Sequence, residues 1–155
     1  MNLIQRSINR FKILYPLLKL PNTNINQNIE SNLGIELPID FKELSKFYDG
    51  NNAFNLDGAL NFDRDKTPSN VIDITLEWRC FDPKLPNKYL VLATYDESFI
   101  ILDTLLSIVL WLNYYDYESL CQNTKFTPYK TFGSFLNYFQ FLLDEEEKMR
   151  AEDMK

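Results

Sequence analysis

The sequence predicts one α+β domain, with a mixed or mainly antiparallel sheet flanked by helices. Two observations carry this. Apolar residues recur at helical spacing near both ends of the chain, and between Tyr89 and Asn113 three short apolar runs follow one another across brief gaps. A length of 155 residues suits a single core, so residues 1–155 are read as one domain.

The elements follow in order. Ile4, Ile8, Phe11, Tyr15 and Leu18 give a helical pattern over about residues 1–20, and Pro16 should kink or end it near Tyr15. Pro21 to Gln27 is Asn-rich and reads as a loop. A second helix is expected from about Asn24 to Leu33, on Ile25, Ile29 and Leu33, closed by Gly34. Pro38 suits the first turn of a third helix, and Asp40 suits its positive end. Phe41, Leu44, Phe47 and Tyr48 form its stripe, and Asp49-Gly50 ends it.

The stretch from Asn51 to Pro86 is irregular. Short strands and turns are expected around Leu60-Asn61-Phe62, with a brief helix from Ser69, as cap, to Trp78. Tyr89–Thr94, Phe99–Thr104 and Ser107–Asn113 then read as strands. Tyr95-Asp96-Glu97 and Leu105-Leu106 separate them, and such short connections imply antiparallel pairing. Near-continuous apolarity predicts helices over at least one face. The last helix is expected from Thr131, as cap, to about Glu147, and the charged tail 144–155 to fray into solvent.

Composition narrows the function. The formal net charge is −6, so the surface should repel phosphate backbones and anionic membranes and attract a basic partner. Cys80 and Cys121 are too few for a secreted disulfide scaffold. The first residues lack a signal-peptide pattern, and the apolar run from Phe99 to Leu112 is broken by Asp103 and too short to span a bilayer. A cytoplasmic chain without membrane or nucleic-acid partners is expected.

Catalytic chemistry finds little support. There is no histidine, which removes the commonest general base and the Ser-His-Asp and Cys-His arrangements. Four glycines form no phosphate loop, and two cysteines without histidine form no metal cluster. Asp57, Asp63 and Asp65 lie close together, as do Asp96 and Glu97, but sequence proximity does not set two carboxylates across a cleft. Asp57 to Asp65 also fails EF-hand spacing. No cofactor, metal or catalytic residue is expected.

Binding residues are easier to nominate. Tyr114, Tyr115, Asp116, Tyr117 and Glu118 interleave aromatics with carboxylates, a composition suited to an Arg- or Lys-rich protein surface. The competing reading packs alternate tyrosines into the sheet edge. Asp57, Asp63 and Asp65 make a second acidic candidate. Trp78, next to Arg79, is a third, unless its indole caps the core.

Three blocks together resemble the SUKH superfamily, in particular its Smi–Knr branch. The first is Ile29-Glu30, Leu33-Gly34, Leu37-Pro38, Phe41, Leu44 and Tyr48-Asp49-Gly50. The second pairs Tyr89–Thr94 with Ser98–Asp103, and the third is Thr131-Phe132 with Phe135-Leu136. After Gly50 the chain departs from the pattern, because Asn51-Asn52-Ala53-Phe54 lacks a second glycine. The resemblance implies an α+β fold with helices flanking the sheet. It also implies a non-enzymatic role: bacterial members look like immunity proteins that neutralise a polymorphic or contact-dependent toxin domain, often a nuclease. Eukaryotic relatives look like regulatory interaction scaffolds. Partner-binding positions vary between members, so none is carried over to this chain.

Overall fold

In the computed structural model, which covers residues 1–155, the helices are α1 (Leu3–Leu14), α2 (Ile25–Leu33), α3 (Ile39–Leu44), α4 (Val71–Trp78), α5 (Tyr117–Cys121) and α6 (Phe135–Asp153). The strands are β1 (Tyr89–Thr94), β2 (Ser98–Asp103), β3 (Ile108–Asn113) and β4 (Lys130–Phe132). The chain is an α+β domain whose four strands lie in the order β1-β2-β3-β4, every neighbouring pair antiparallel.

Local signals set most of the helix ends. The Asn2 side chain accepts the Gln5 amide at the start of α1, and the helix stops at Leu14, just before Pro16. Gly34 closes α2 with φ +64°. Pro38 sits one residue ahead of α3, at its cap and not in its first turn, and the helix ends at Leu44 instead of reaching Tyr48. The Phe47 and Tyr48 amides both turn back to the Leu44 carbonyl, so Tyr48 still enters the core. Gly50 has φ +99°, and a Cβ there would collide with the Leu60 carbonyl and the Phe62 ring.

Two helix starts differ from the sequence reading. Asn70, not Ser69, caps α4, its side chain accepting the Asp73 amide at 2.8 Å. Ser69 spends its carbonyl on the Asn61 amide instead. Thr131 lies in β4, opposite Leu110, and Ser134 caps α6 by accepting the Asn137 amide at 3.0 Å. A second acceptor comes from far away in sequence: one Asp40 oxygen takes the Leu136 amide at 2.8 Å while the other holds the Phe41 amide. Asp40 thereby ties the start of α3 to the start of α6. The strand expected around Leu60-Asn61-Phe62 reduces to two bridges, Ala59 with Ala93 and Asn61 with Asn70.

The charged tail does not fray at Asp144. Helix α6 continues to Asp153, and contacts with α1 and the residue after it hold this segment. Arg10 pairs with Asp144 at 2.6 Å and Glu147 at 3.0 Å. Arg150 donates to the Leu14 carbonyl at 2.9 Å and lies 4.9 Å from the Tyr15 ring centre.

Both faces of the sheet are covered. Register places Phe99 opposite Leu112, and Val109 opposite Phe132, on different faces. Phe99 packs against Trp78 of α4, and Phe132 against Tyr138 of α6. An aromatic cluster of Phe11, Tyr48, Phe54 and Phe139 joins α1 and α6 to the Tyr48–Phe54 loop, all four rings buried. No helix is long and apolar enough to cross a membrane.

Candidate protein-binding surface

Strand register decides which surface residues meet. Ser98 pairs with Asn113, so the turn between β1 and β2 and the chain leaving β3 lie at one end of the sheet. That turn carries Tyr95, Asp96 and Glu97, and the Tyr95 amide donates to the Ser98 carbonyl at 2.8 Å. The chain leaving β3 makes a single 3₁₀ turn over Tyr114–Asp116 and enters α5. The Tyr114 amide then donates to the Glu97 carbonyl at 3.2 Å, which fastens the two segments together.

The tyrosines divide their roles. Tyr115 points outward and is 81% exposed, its hydroxyl accepting from the Asn113 side chain at 3.0 Å. Tyr114 is 36% exposed and lays one face on Phe99, ring centres 5.2 Å apart. Burial raises its phenol pKa, and the Asp96 charge raises it further. Tyr117 is half-buried, with its ring 5.6 Å from Trp78 and its hydroxyl donating to the Pro83 carbonyl at 3.0 Å. Desolvation pushes its pKa well up. Tyr117 is therefore a positioning residue, in line with the core-packing alternative for one tyrosine of the three.

Trp78 is buried, which corrects its nomination as a surface residue. Its indole instead packs against Phe81, Phe99 and Tyr114. Asp63 is corrected for the same reason. It is buried, and its carboxylate accepts the Asp65 amide at 3.0 Å, so it builds its own turn. Asp65 is exposed beside it. That turn is held by Arg64, which bonds Asn32 of α2 and Asp73 of α4, and not by the sheet end.

Asp57 does join the tyrosines. The Gly58 carbonyl accepts the Thr94 amide at 2.9 Å, which brings Asp57 to the end of β1. Burial raises the Tyr95 pKa, and the Asp57 charge adds to that. Asp57, Asp96, Glu97, Asp116 and Glu118 thus share one region, and none of them takes part in an ion pair. Glu118 accepts only from the Gln122 side chain, at 3.1 Å.

The sequence reading did not nominate Tyr95, Trp111 and Tyr129, which extend this end. Trp111 lies 6.2 Å from Tyr95 and 4.8 Å from Tyr129, and it donates to the Ser98 hydroxyl at 3.0 Å. Tyr129 is 69% exposed. Only the pairing of β4 with β3 brings it here, and nothing in a linear pattern announces that.

Chemically, the surface offers carboxylates that accept from guanidinium and ammonium groups, beside aromatic faces on which a cation can rest. No group of three or more Cys, Asp or Glu side chains is placed to hold a metal ion. Both cysteines are free thiols. No protein-family model matches the chain, and no curated protein matches it in sequence.

Proposed function

We propose that this protein is an immunity protein that binds and neutralises a toxin domain with a basic surface, in the cytoplasm and without catalysis of its own. The observation that carries the reading is the sheet end just described: exposed Tyr115 and half-exposed Tyr114 among five carboxylates that no cation of the chain neutralises. Desolvating a bare acidic cluster against an apolar partner is costly, whereas lysines and arginines offset that cost. The resemblance to the SUKH superfamily supports the same reading.

The action follows from charge and shape. A nuclease groove is lined with cations that hold a polyanion. Carboxylates spaced over one face can occupy that groove and exclude substrate, while the tyrosines contribute apolar area at low entropic cost.

Co-expression with a toxin-like reading frame beside the gene tests this, with cell survival as the readout, and the lack of any such neighbour counts against it. Rescue supports immunity. Death of cells that express both, with this protein folded and abundant, moves the reading to a regulatory scaffold with a non-toxin partner.

A further inference from the structure

The opposite end of the sheet carries a second surface, apolar where the first is acidic. Asp103 pairs with Ile108 there, and Thr104 to Ser107 make the turn. Hairpin tips are normally polar, yet this one presents Leu105 and Leu106, 77% and 66% exposed. The turn is held firmly. Asp103 is buried, and one of its oxygens accepts both leucine amides at 3.0 Å. Its other oxygen meets Lys88 at 3.1 Å, and Thr104 bonds the Lys88 carbonyl twice, through its amide at 3.0 Å and its hydroxyl at 2.7 Å. Two leucines are thus displayed on a pinned scaffold, which lowers the ordering cost of burying them in a complex.

Immediately beside them lies a groove of about 890 Å³ between this turn and the Gly34–Asp40 segment. Ile4, Ile35, Leu37, Ile39 and the near side of Leu105 supply its apolar walls, among polar groups that include Glu36, Asp40 and Lys88, and Ile39 is 76% exposed. Ile4 joins the groove to a hollow flanked by Leu3.

The geometry points to a symmetric dimer: the Leu105–Leu106 knob of each copy seats in the groove of the other, about a two-fold axis at this end of the sheet. Three observations select a second copy of this chain as the occupant. Knob and groove adjoin on one surface, and a two-fold interface requires a patch that is its own complement. The charge distribution agrees, because the five unpaired carboxylates sit at the far end of the strands, so joining these ends keeps the acidic regions of two −6 chains apart. The patch is not of one sign: Arg6 and Glu36, both exposed and in no ion pair, line the two hollows. As for size, Leu3, Ile39, Leu105 and Leu106 expose on the order of 500 Å² between them, at the upper range for the largest apolar patch of a monomer. The roughly 800 Å² per subunit of a stable interface is then reached by burying the polar groups around these side chains as well.

The dimer leaves both acidic ends free, and its test does not involve the toxin. Sedimentation velocity on the full chain, over a dilution series from about a micromolar to several hundred micromolar, should show twice the chain mass at the upper concentrations. Leu106→Asp on the knob and Ile39→Asp on the groove wall should each weaken the dimer by roughly thirtyfold or more. Both side chains are solvent-exposed, and circular dichroism checks that the variants fold. Tyr115→Ala should leave the dimer intact. A wild-type chain that stays monomeric throughout overturns the proposal. So does a dimer that persists unchanged in both folded variants.

Discussion

The Tyr114 amide and the Glu97 carbonyl meet at 3.2 Å, and that bond joins the turn between β1 and β2 to the segment leaving β3. It brings carboxylates separated in sequence to the same side of the sheet as Tyr114 and Tyr115. The acidic, aromatic surface is therefore a product of strand register, with Ser98 opposite Asn113, and the register is in turn fixed by burial on both faces.

Binding should depend on the outward side chains and tolerate their loss structurally. Tyr115→Ala and Asp116→Ala are each expected to weaken toxin binding by about 2 kcal/mol, while the unfolding midpoint stays near wild type. Calorimetric titration alongside a thermal melt reads both. Unchanged affinity in the two variants would place the interface elsewhere.

Charge should act mainly on encounter. Asp96→Asn with Glu97→Gln removes two exposed charges at the rim without touching Tyr115. The association rate should drop and lose part of its salt dependence, with little change in dissociation. Stopped-flow mixing at two ionic strengths measures this.

Core truncation should behave differently. Phe135 is almost wholly buried between Phe41 and Phe62. Phe135→Ala is expected to cost about 3–5 kcal/mol by urea unfolding. A loss below about 1 kcal/mol would mean the cluster is not packed as described.

The C-terminal segment should contribute to stability. Arg10 bridges to Asp144 and Glu147, and Arg150 reaches Leu14 and Tyr15. Arg10→Ala should cost about 1 kcal/mol or less, as partly exposed pairs do. Deleting residues 144–155 should cost more, because it also removes the contacts of Arg150. A deletion with no effect on the melt would mean that the contacts with α1 contribute nothing to stability.

High pH should unfold the protein through its buried phenols. Burial raises the pKa of Tyr48 and of Tyr138 well above the usual value near ~10. The Tyr48 hydroxyl also donates to the Gly50 carbonyl at 2.6 Å. A raised folded-state pKa means their contribution is complete below the unfolded value of about 10 and is lost as pH climbs toward the folded one. Tyrosinate absorbance from these two rings should appear only together with unfolding.

Much of the fold was legible because local rules govern it. Gly34 closing α2, Pro16 stopping α1 and the turns at Asp96 and Leu105 each rest on backbone preference or short-range patterning. What was not legible depends on partners distant in sequence. Thr131 reads as a cap until β4 pairs with β3. The tail reads as frayed until Arg10 meets it from α1. Among the candidate binding residues, Tyr114, Tyr115, Asp116 and Glu118 lie on the surface together. Asp63 and Trp78 failed as surface residues because a carboxylate can serve a turn, and an indole a core, from positions that read as exposed. Asp57 needed the Gly58–Thr94 contact to reach the site, and Tyr129 needed β4.

Titration of a candidate toxin domain, where one is encoded beside this gene, into this protein at low and at physiological salt tests the central claim most directly. The account predicts a stoichiometric complex whose affinity falls as salt rises and falls again in Tyr115→Ala. Absence of binding at both salt concentrations, with both proteins folded, would contradict it.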